Sequence, residues 1–225
     1  MKLLAQAHEL LRHIISPPFC THCRIILSER FPLCKACLAL LQPVIATSLK
    51  LTDKHAMTVF ALGAYEEPLA LLVRAKQYRN HVAAHQLGVL LAQYVATLTI
   101  PIDCLVPLPL HWRRYAWRGY NQAALMAREI GQSLAVPVQP LLQRTRHTAF
   151  QMSLARPERK ENVTNIFKIK EPFFAENMSI YAGKHLVLVD DVMTTGATLQ
   201  AAGRELLRLK PASISALVAA RVIGR

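Results

Sequence analysis

Acidic residues are scarce in this 225-residue chain: 14 Asp and Glu stand against 27 Lys and Arg, a formal net charge of +13 with histidine neutral. That imbalance points to a polyanionic partner, whether nucleic acid, acidic lipid or a phosphorylated ligand, although a solvated basic surface would have the same composition. Long apolar runs are missing as well. No stretch approaches the roughly 20 apolar residues a membrane helix needs, so no membrane span is expected. The triphosphate-binding pattern G-x-x-x-x-G-K-[ST] is absent, and no helix-turn-helix stands out. There is no internal repeat and no low-complexity tract. What is present is a composition that is 52% hydrophobic, ample for one medium α/β domain with a small accessory unit.

The first residues, MKLLAQAHELLRHIIS, superficially resemble a leader. Glu9, Arg12 and two histidines interrupt any apolar segment, and no small-residue cleavage site follows. Leu3, Leu4, Ala7, Leu10, Leu11, Ile14 and Ile15 recur at helical spacing. An amphipathic helix over 1–16 is therefore expected, buried against the rest of the protein or, alternatively, lying on a membrane surface. A cytosolic protein is expected.

Four of the five cysteines form C-x2-C-x10-C-x2-C: Cys20, Cys23, Cys34 and Cys37. Each pair can turn tightly and present two thiolates to one ion, and two such knuckles complete a tetrahedral structural Zn2+ site. The alternative, disulfides, is disfavoured in a reducing cytosol. A zinc-ribbon-like module over 17–42 is expected, with His22 a bystander because four thiolates already fill the shell. Cys104 sits alone in an apolar run and reads as a core residue.

A short helical stretch follows, and Thr47 to His55 reads as a linker. From Met57 to the end the pattern alternates. MTVFALGAY reads as a strand, with helices from Pro68 and through LGVLLAQYVATL. PIDCLVPLPL reads as a short buried strand. NQAALMAREIGQSLA is an amphipathic helix with Asn121 as its cap and Pro137 as its stop. HLVLVDD is a strand, 196–209 a helix, and SISALVAARV a closing strand. Strands separated by helices predict an α/β domain over 57–225 with a mainly parallel sheet. In such sheets ligands bind beyond the carboxyl ends of the strands. The polar segments LHWRRYAWRGYNQ and DDVMTTGAT fall there, with RTRHTAFQMSLARPERKENV between them as a long loop or hairpin.

LVLVDDVMTTGAT carries the chemistry. Asp190 and Asp191 end an apolar run, where carboxylates can accept hydrogen bonds from vicinal hydroxyls. Thr194, Thr195, Gly196, Ala197 and Thr198 lie where loop becomes helix, and amides at a helix N-terminus make a phosphate cradle. Gly196 permits the tight turn. A diol acceptor beside a phosphate cradle describes a ribose 5-phosphate site. A capped helix after a buried strand would explain the Thr and Gly but not the paired aspartates.

This stretch resembles the phosphoribosyl-pyrophosphate (PRPP) signature of type I phosphoribosyltransferases. VPLPLHWRRYAWRGYNQ and RTRHTAFQMSLARPERKENVTNIF, behind four cysteines, are similar to the ComF/GntX group of competence-associated proteins. The resemblance implies a type I phosphoribosyltransferase fold in which Asp190 and Asp191 hold the ribose hydroxyls and Thr194 to Thr198 the 5-phosphate. Arg113, Arg114, Arg118 and Gly119 would lie near the pyrophosphate. Arg144 to Lys160 would close over PRPP, with Gln151, Arg159 and Asn162 along it and Arg159 among the catalytic residues. Mg2+ would be shared with substrate phosphates and take no dedicated protein ligand. Relatives tend to carry a Lys-aromatic pair ahead of the first helix; here the residues are Lys76-Gln77-Tyr78, so Lys76 would act from a shifted position. The resemblance also implies other competence proteins as partners; it names neither an acceptor nor an oligomeric state.

Between His111 and Lys160, nine Lys and Arg face two Asp and Glu, a net of +7. Trp112, Tyr115, Trp117 and Tyr120 are interleaved with the arginines. Basic groups alternating with aromatics can track a phosphate backbone while stacking bases, which suits single-stranded DNA. The other arrangement consistent with the sequence has the aromatics packed under the loop and the arginines in solvent. Two functions follow: transfer of phosphoribose to an acceptor, or handling of incoming single-stranded DNA with PRPP as a regulatory ligand. Fold alone does not choose between them.

Overall fold

The computed structural model describes residues 17–75, 81–110, 115–117, 119–145, 166–170 and 178–223. The expected N-terminal helix, Lys76, Arg113, Arg114, Arg118, Arg159 and most of the Arg144–Lys160 segment lie outside them.

Among the described residues there are seven strands: β1 (Thr47–Lys50), β2 (Ala56–Ala64), β3 (Cys104–Pro107), β4 (Leu142–Arg144), β5 (Phe167–Ile169), β6 (His185–Met193) and β7 (Ser213–Arg221). The α-helices among the described residues are α1 (Lys35–Leu38), α2 (Leu69–Ala75), α3 (His81–Ala96), α4 (Gln122–Leu134), α5 (Met178–Tyr181) and α6 (Ala197–Leu206). The main sheet has the order β1-β2-β7-β6-β3. All its pairings are parallel except that of β1 with β2. This is a mixed α/β fold with the alternation expected from Met57 onward.

The central strands are apolar on both faces, as parallel strands covered by helices must be. Leu186, Leu188, Ala216 and Val218 face one side, packed with Leu199, Ala202 and Leu206 of α6. Val187, Val189, Leu217 and Ala219 face the other, packed with α2, α3 and α4 through Leu72, Leu87, Leu91, Met126 and Ile130. The helices α3 and α4 approach closely because residue 88 is glycine: a Cβ there would lie 2.8 Å from Glu129 Cβ and 3.0 Å from Met126 Cα. At the amino end of the sheet, Asp103 accepts a hydrogen bond from the His185 amide at 2.8 Å, with Lys184 Nζ 3.8 Å from its other oxygen. The His185 amide leads the causes that hold the Asp103 carboxyl below its ordinary value, aided by the Lys184 charge.

Two local expectations are corrected. Thr47–His55 is not a linker: Thr47–Lys50 is the edge strand β1, and Leu51 accepts the turn back by donating its amide to His55 O at 2.9 Å. Its polar, half-exposed residues hide it, because only Leu49 and Leu51 reach the core. Pro137 does not stop α4. Ala135 does, by adopting φ 54° and ψ 39° and donating its amide to Gly131 O. The segment from Arg144 starts from a hairpin base, one of the two forms expected for it, since β4 and β5 pair antiparallel from Leu142↔Ile169 to Arg144↔Phe167.

Candidate functional site

β6 carries a buried run, Leu186 to Val189, to the carboxyl edge of the sheet and delivers Asp190 and Asp191 half-buried. The strand continues to Met193, so the aspartates fall inside its last turn of pairing rather than at its terminus. Asp190 Oδ1 accepts from the Asp191 amide at 2.8 Å, and Asp191 Oδ1 accepts from the Val192 amide at 2.7 Å. Both carboxylates are thereby held in fixed orientation by the local backbone.

Thr194 and Thr195 are exposed beyond the strand, and Gly196 is buried with φ 79° and ψ −2°, in the left-handed region. That conformation, cheap only for glycine, turns the chain sharply into α6. Gly196 offers no side-chain cap, so the first amides of this ten-residue helix are directed past the turn, where a helix start leaves backbone donors and positive dipole density. Thr195 Oγ1 accepts from the Ala197 amide at 3.4 Å, and Thr198 is half-buried. The arrangement can hold an anion with a hydroxylated group beside it.

The neighbouring edge is built by β3. Leu108 donates its amide to Val189 O at 3.0 Å, prolonging the β3–β6 contact past the strand. Asn121 then joins loop exit to helix start: its Nδ2 donates to Leu108 O at 3.0 Å while its Oδ1 accepts from the Ala123 amide at 3.0 Å. The cap expected at Asn121 therefore also closes the loop that follows Pro109. Within that loop Tyr115 and Trp117 are exposed, 53% and 61%. Tyr120 follows the other of the two expected arrangements, packed inward and not presented for stacking. It is 6% exposed, with its ring 4.0 Å from that of His81, because the chain dives at this point to start α4.

Two residues beside the site carried no sequence signal. Leu49 lies directly over Gly196. Arg221, at the carboxyl end of β7 opposite Met193, donates to Ile45 O at 3.3 Å and to the Thr47 hydroxyl, tying the edge strand to the site.

The four cysteines converge as their spacing predicts: their sulfurs all lie within 4.8 Å of one another, with Cys23 and Cys34 at 3.6 Å. Tetrahedral thiolate coordination of a metal at about 2.3 Å requires sulfurs about 3.8 Å apart, so the set fits a single ion. The first knuckle is a tight hairpin: Cys20 donates to Ile25 O, Arg24 donates back to Cys20 O, and Arg24 takes φ 66°. In the second, Cys34 caps α1 and its sulfur accepts from the Cys37 amide at 3.4 Å. Burial raises the Cys20 thiol, but hydrogen bonds from the Cys34, Cys23 and His22 amides outweigh it and bring its pKa to about 6. Burial, together with the neighbouring sulfurs and the Cys20 charge, pushes Cys37 to about 12. His22 is not in the four-cysteine group; its Nδ1 lies 3.2 Å from Cys37 Sγ. Cys104 is buried in the core as expected, and burial raises it to about 11. Cys20, Leu33 and Cys37 pack in the same apolar cluster as Leu69, Leu72 and Leu87, so the cysteine module is seated on the α2–α3 face of the sheet.

Residues 120–224 match the phosphoribosyl transferase domain. The chain is 29% identical over 206 residues to Competence protein F of Haemophilus influenzae, covering 88% of this chain and 82% of that protein. It is 30% identical over 205 residues to the DNA utilization protein YhgH of Salmonella typhimurium, covering 87% and 86%. A solved adenine phosphoribosyltransferase from Leishmania tarentolae superposes with a TM-score of 0.40 at 12% identity, covering 77% of this chain and 80% of that one, too loose to argue from. A phosphoribosyltransferase-type α/β domain with a four-cysteine cluster is the class these features define. The chain belongs to the YhgH family of DNA utilization proteins.

Proposed function

We propose that this protein binds PRPP with Mg2+ and acts in the cytosolic handling of single-stranded DNA during transformation. The observation that carries the PRPP assignment is the pair Asp190 and Asp191, oriented by their own backbone, beside the left-handed Gly196 that opens α6. Asp190 and Asp191 accept the ribose hydroxyls. Thr194, Thr195, Ala197 and Thr198 surround the 5-phosphate with hydroxyl and amide donors, and Gly196 lets it approach the backbone. Arg113, Arg114, Arg118 and Lys76 supply positive charge to the diphosphate, and Arg159 steadies the charge that develops as it departs. Bound with the diphosphate, Mg2+ adds charge neutralisation on the leaving group. Zinc, on Cys20, Cys23, Cys34 and Cys37, is structural.

The DNA role rests on the kinship with a competence protein and a DNA utilization protein and on the basic, aromatic 111–160 segment, whose Tyr115 and Trp117 are exposed. Measuring pyrophosphate release from PRPP over candidate base and amine acceptors, with and without single-stranded DNA, tests both halves. Release that depends on an added base and ignores DNA would favour a metabolic phosphoribosyltransferase. No release and no DNA binding at low salt would leave the reading without support.

A further inference from the structure

Arg221 ends the strand β7, and its side chain crosses the carboxyl edge of the sheet. In register it stands opposite Met193, which packs in the cluster beneath α6, so Arg221 leaves the sheet on that same face. Its Nη1 donates to Ile45 O at 3.3 Å and to the Thr47 hydroxyl on the edge strand β1. With the strand order β1-β2-β7-β6, the guanidinium has passed over β2 to reach them. Thr47 and Leu49 share a face of β1, about 7 Å apart, and Leu49 is the residue that lies against Gly196. The turn 193–196 spans the same gap. It leaves the sheet at Met193 on β6 and arrives at Gly196 against β1, so it too runs above β7 and β2. Turn and guanidinium are therefore neighbours.

Both bring positive charge to this spot: the side chain a full unit, the start of α6 its backbone donors and dipole end. Arg221 is half-buried, bonded to two neutral oxygens, and has no carboxylate partner among the described residues. Two positive sources held side by side favour an anion between them. We propose that Arg221 is a phosphate-binding residue, which with the 194–198 turn holds the 5-phosphate of the sugar phosphate. Its bonds to Ile45 and Thr47 keep the guanidinium aimed at the turn from below. The proposal rests on the PRPP reading and deepens it, by giving the 5-phosphate a cation where the turn itself supplies only hydroxyls and amides. Any ligand carrying that phosphate depends on the contact, whether or not it also carries a diphosphate.

Titration calorimetry of the full chain with ribose 5-phosphate, and with PRPP and Mg2+, tests it on wild type, Arg221→Gln and Arg221→Lys. Glutamine keeps a donor for the edge strand and removes the charge; lysine keeps the charge and loses the forked donor. Arg221→Gln is expected to bind both ligands about tenfold more weakly, and Arg221→Lys to recover most of that loss. A tether without a phosphate role would give the opposite order, with Arg221→Gln the better binder, and would overturn the proposal. Unchanged affinity in Arg221→Gln would also overturn it while leaving the PRPP reading intact. A wild type that binds neither ligand would overturn both. Should Arg221→Gln fail to fold, the Nε resonance of Arg221 in nitrogen-15-labelled wild type decides. A shift that saturates with ribose 5-phosphate supports the proposal, and a resonance unmoved by it overturns the proposal.

Discussion

Leu49 closes over Gly196: a Cβ on residue 196 would sit 2.7 Å from Leu49 Cδ1 and 3.1 Å from its Cδ2. The edge strand β1 is therefore a wall of the candidate phosphate turn, and the turn's left-handed φ of 79° is set against that wall. Gly196→Ala should cost about 1–2 kcal/mol from backbone conformation alone. Leu49→Ala in the same chain should recover the steric part and none of the conformational part. Urea unfolding of the two single variants and the double variant checks this; full recovery in the double variant would show that the conformation of residue 196 is unimportant.

Glu205 holds the hairpin base to α6. Its Oε1 accepts from the Ile169 amide at 3.1 Å and from Arg208 Nη1 at 2.7 Å. Glu205→Ala leaves an edge-strand amide without its acceptor, a loss of about 1–3 kcal/mol. Hydrogen exchange should accelerate at Ile169 and Phe167 and stay unchanged in β6 and β7. Uniform acceleration across the sheet would mean that Glu205 supports the whole domain instead.

The Asp103 carboxyl titrates below its ordinary value of 3.8 because the His185 amide and Lys184 favour its charged form. A depressed carboxylate stabilises the fold above its unfolded pKa and loses that contribution as pH falls through the folded one. Asp103→Asn should therefore be less stable than wild type near neutrality, and the gap should narrow once pH drops below 3.8. A gap that stays constant with pH in thermal melts would point to lost hydrogen-bond geometry rather than charge.

Metal removal should act beyond the cysteine module, because Cys20 and Cys37 share an apolar cluster with Leu69, Leu72 and Leu87. Protein purified under reducing conditions should contain about one zinc per chain. Chelation should raise hydrogen exchange in α2 and α3 as well as in the knuckles. Loss of zinc with no change in α2 would make the module energetically separate.

Much of this was visible in the residue pattern. The buried run Leu186–Val189 into two aspartates gave the strand and the site edge together, because apolarity on both faces is what a central parallel strand requires. The C-x2-C pairs were equally legible, since ligand spacing is a local property. The edge strand was not: Thr-Ser-Leu-Lys has the polarity of a loop, and only its pairing with Val59, Thr58, Met57 and Ala56 makes it a strand. Tyr120 was not decided by the sequence, because an aromatic among arginines reads the same whether it faces solvent or, as here, His81.

Binding of PRPP with Mg2+ to wild type and to Asp190→Asn/Asp191→Asn, followed by calorimetry, tests the central claim most directly. Each carboxylate lost from a ribose hydroxyl removes a charge-assisted hydrogen bond of about 1.5–3 kcal/mol, so the double variant should lose binding beyond detection while melting as a folded protein. Unchanged affinity in a folded double variant would contradict the ribose site at Asp190 and Asp191.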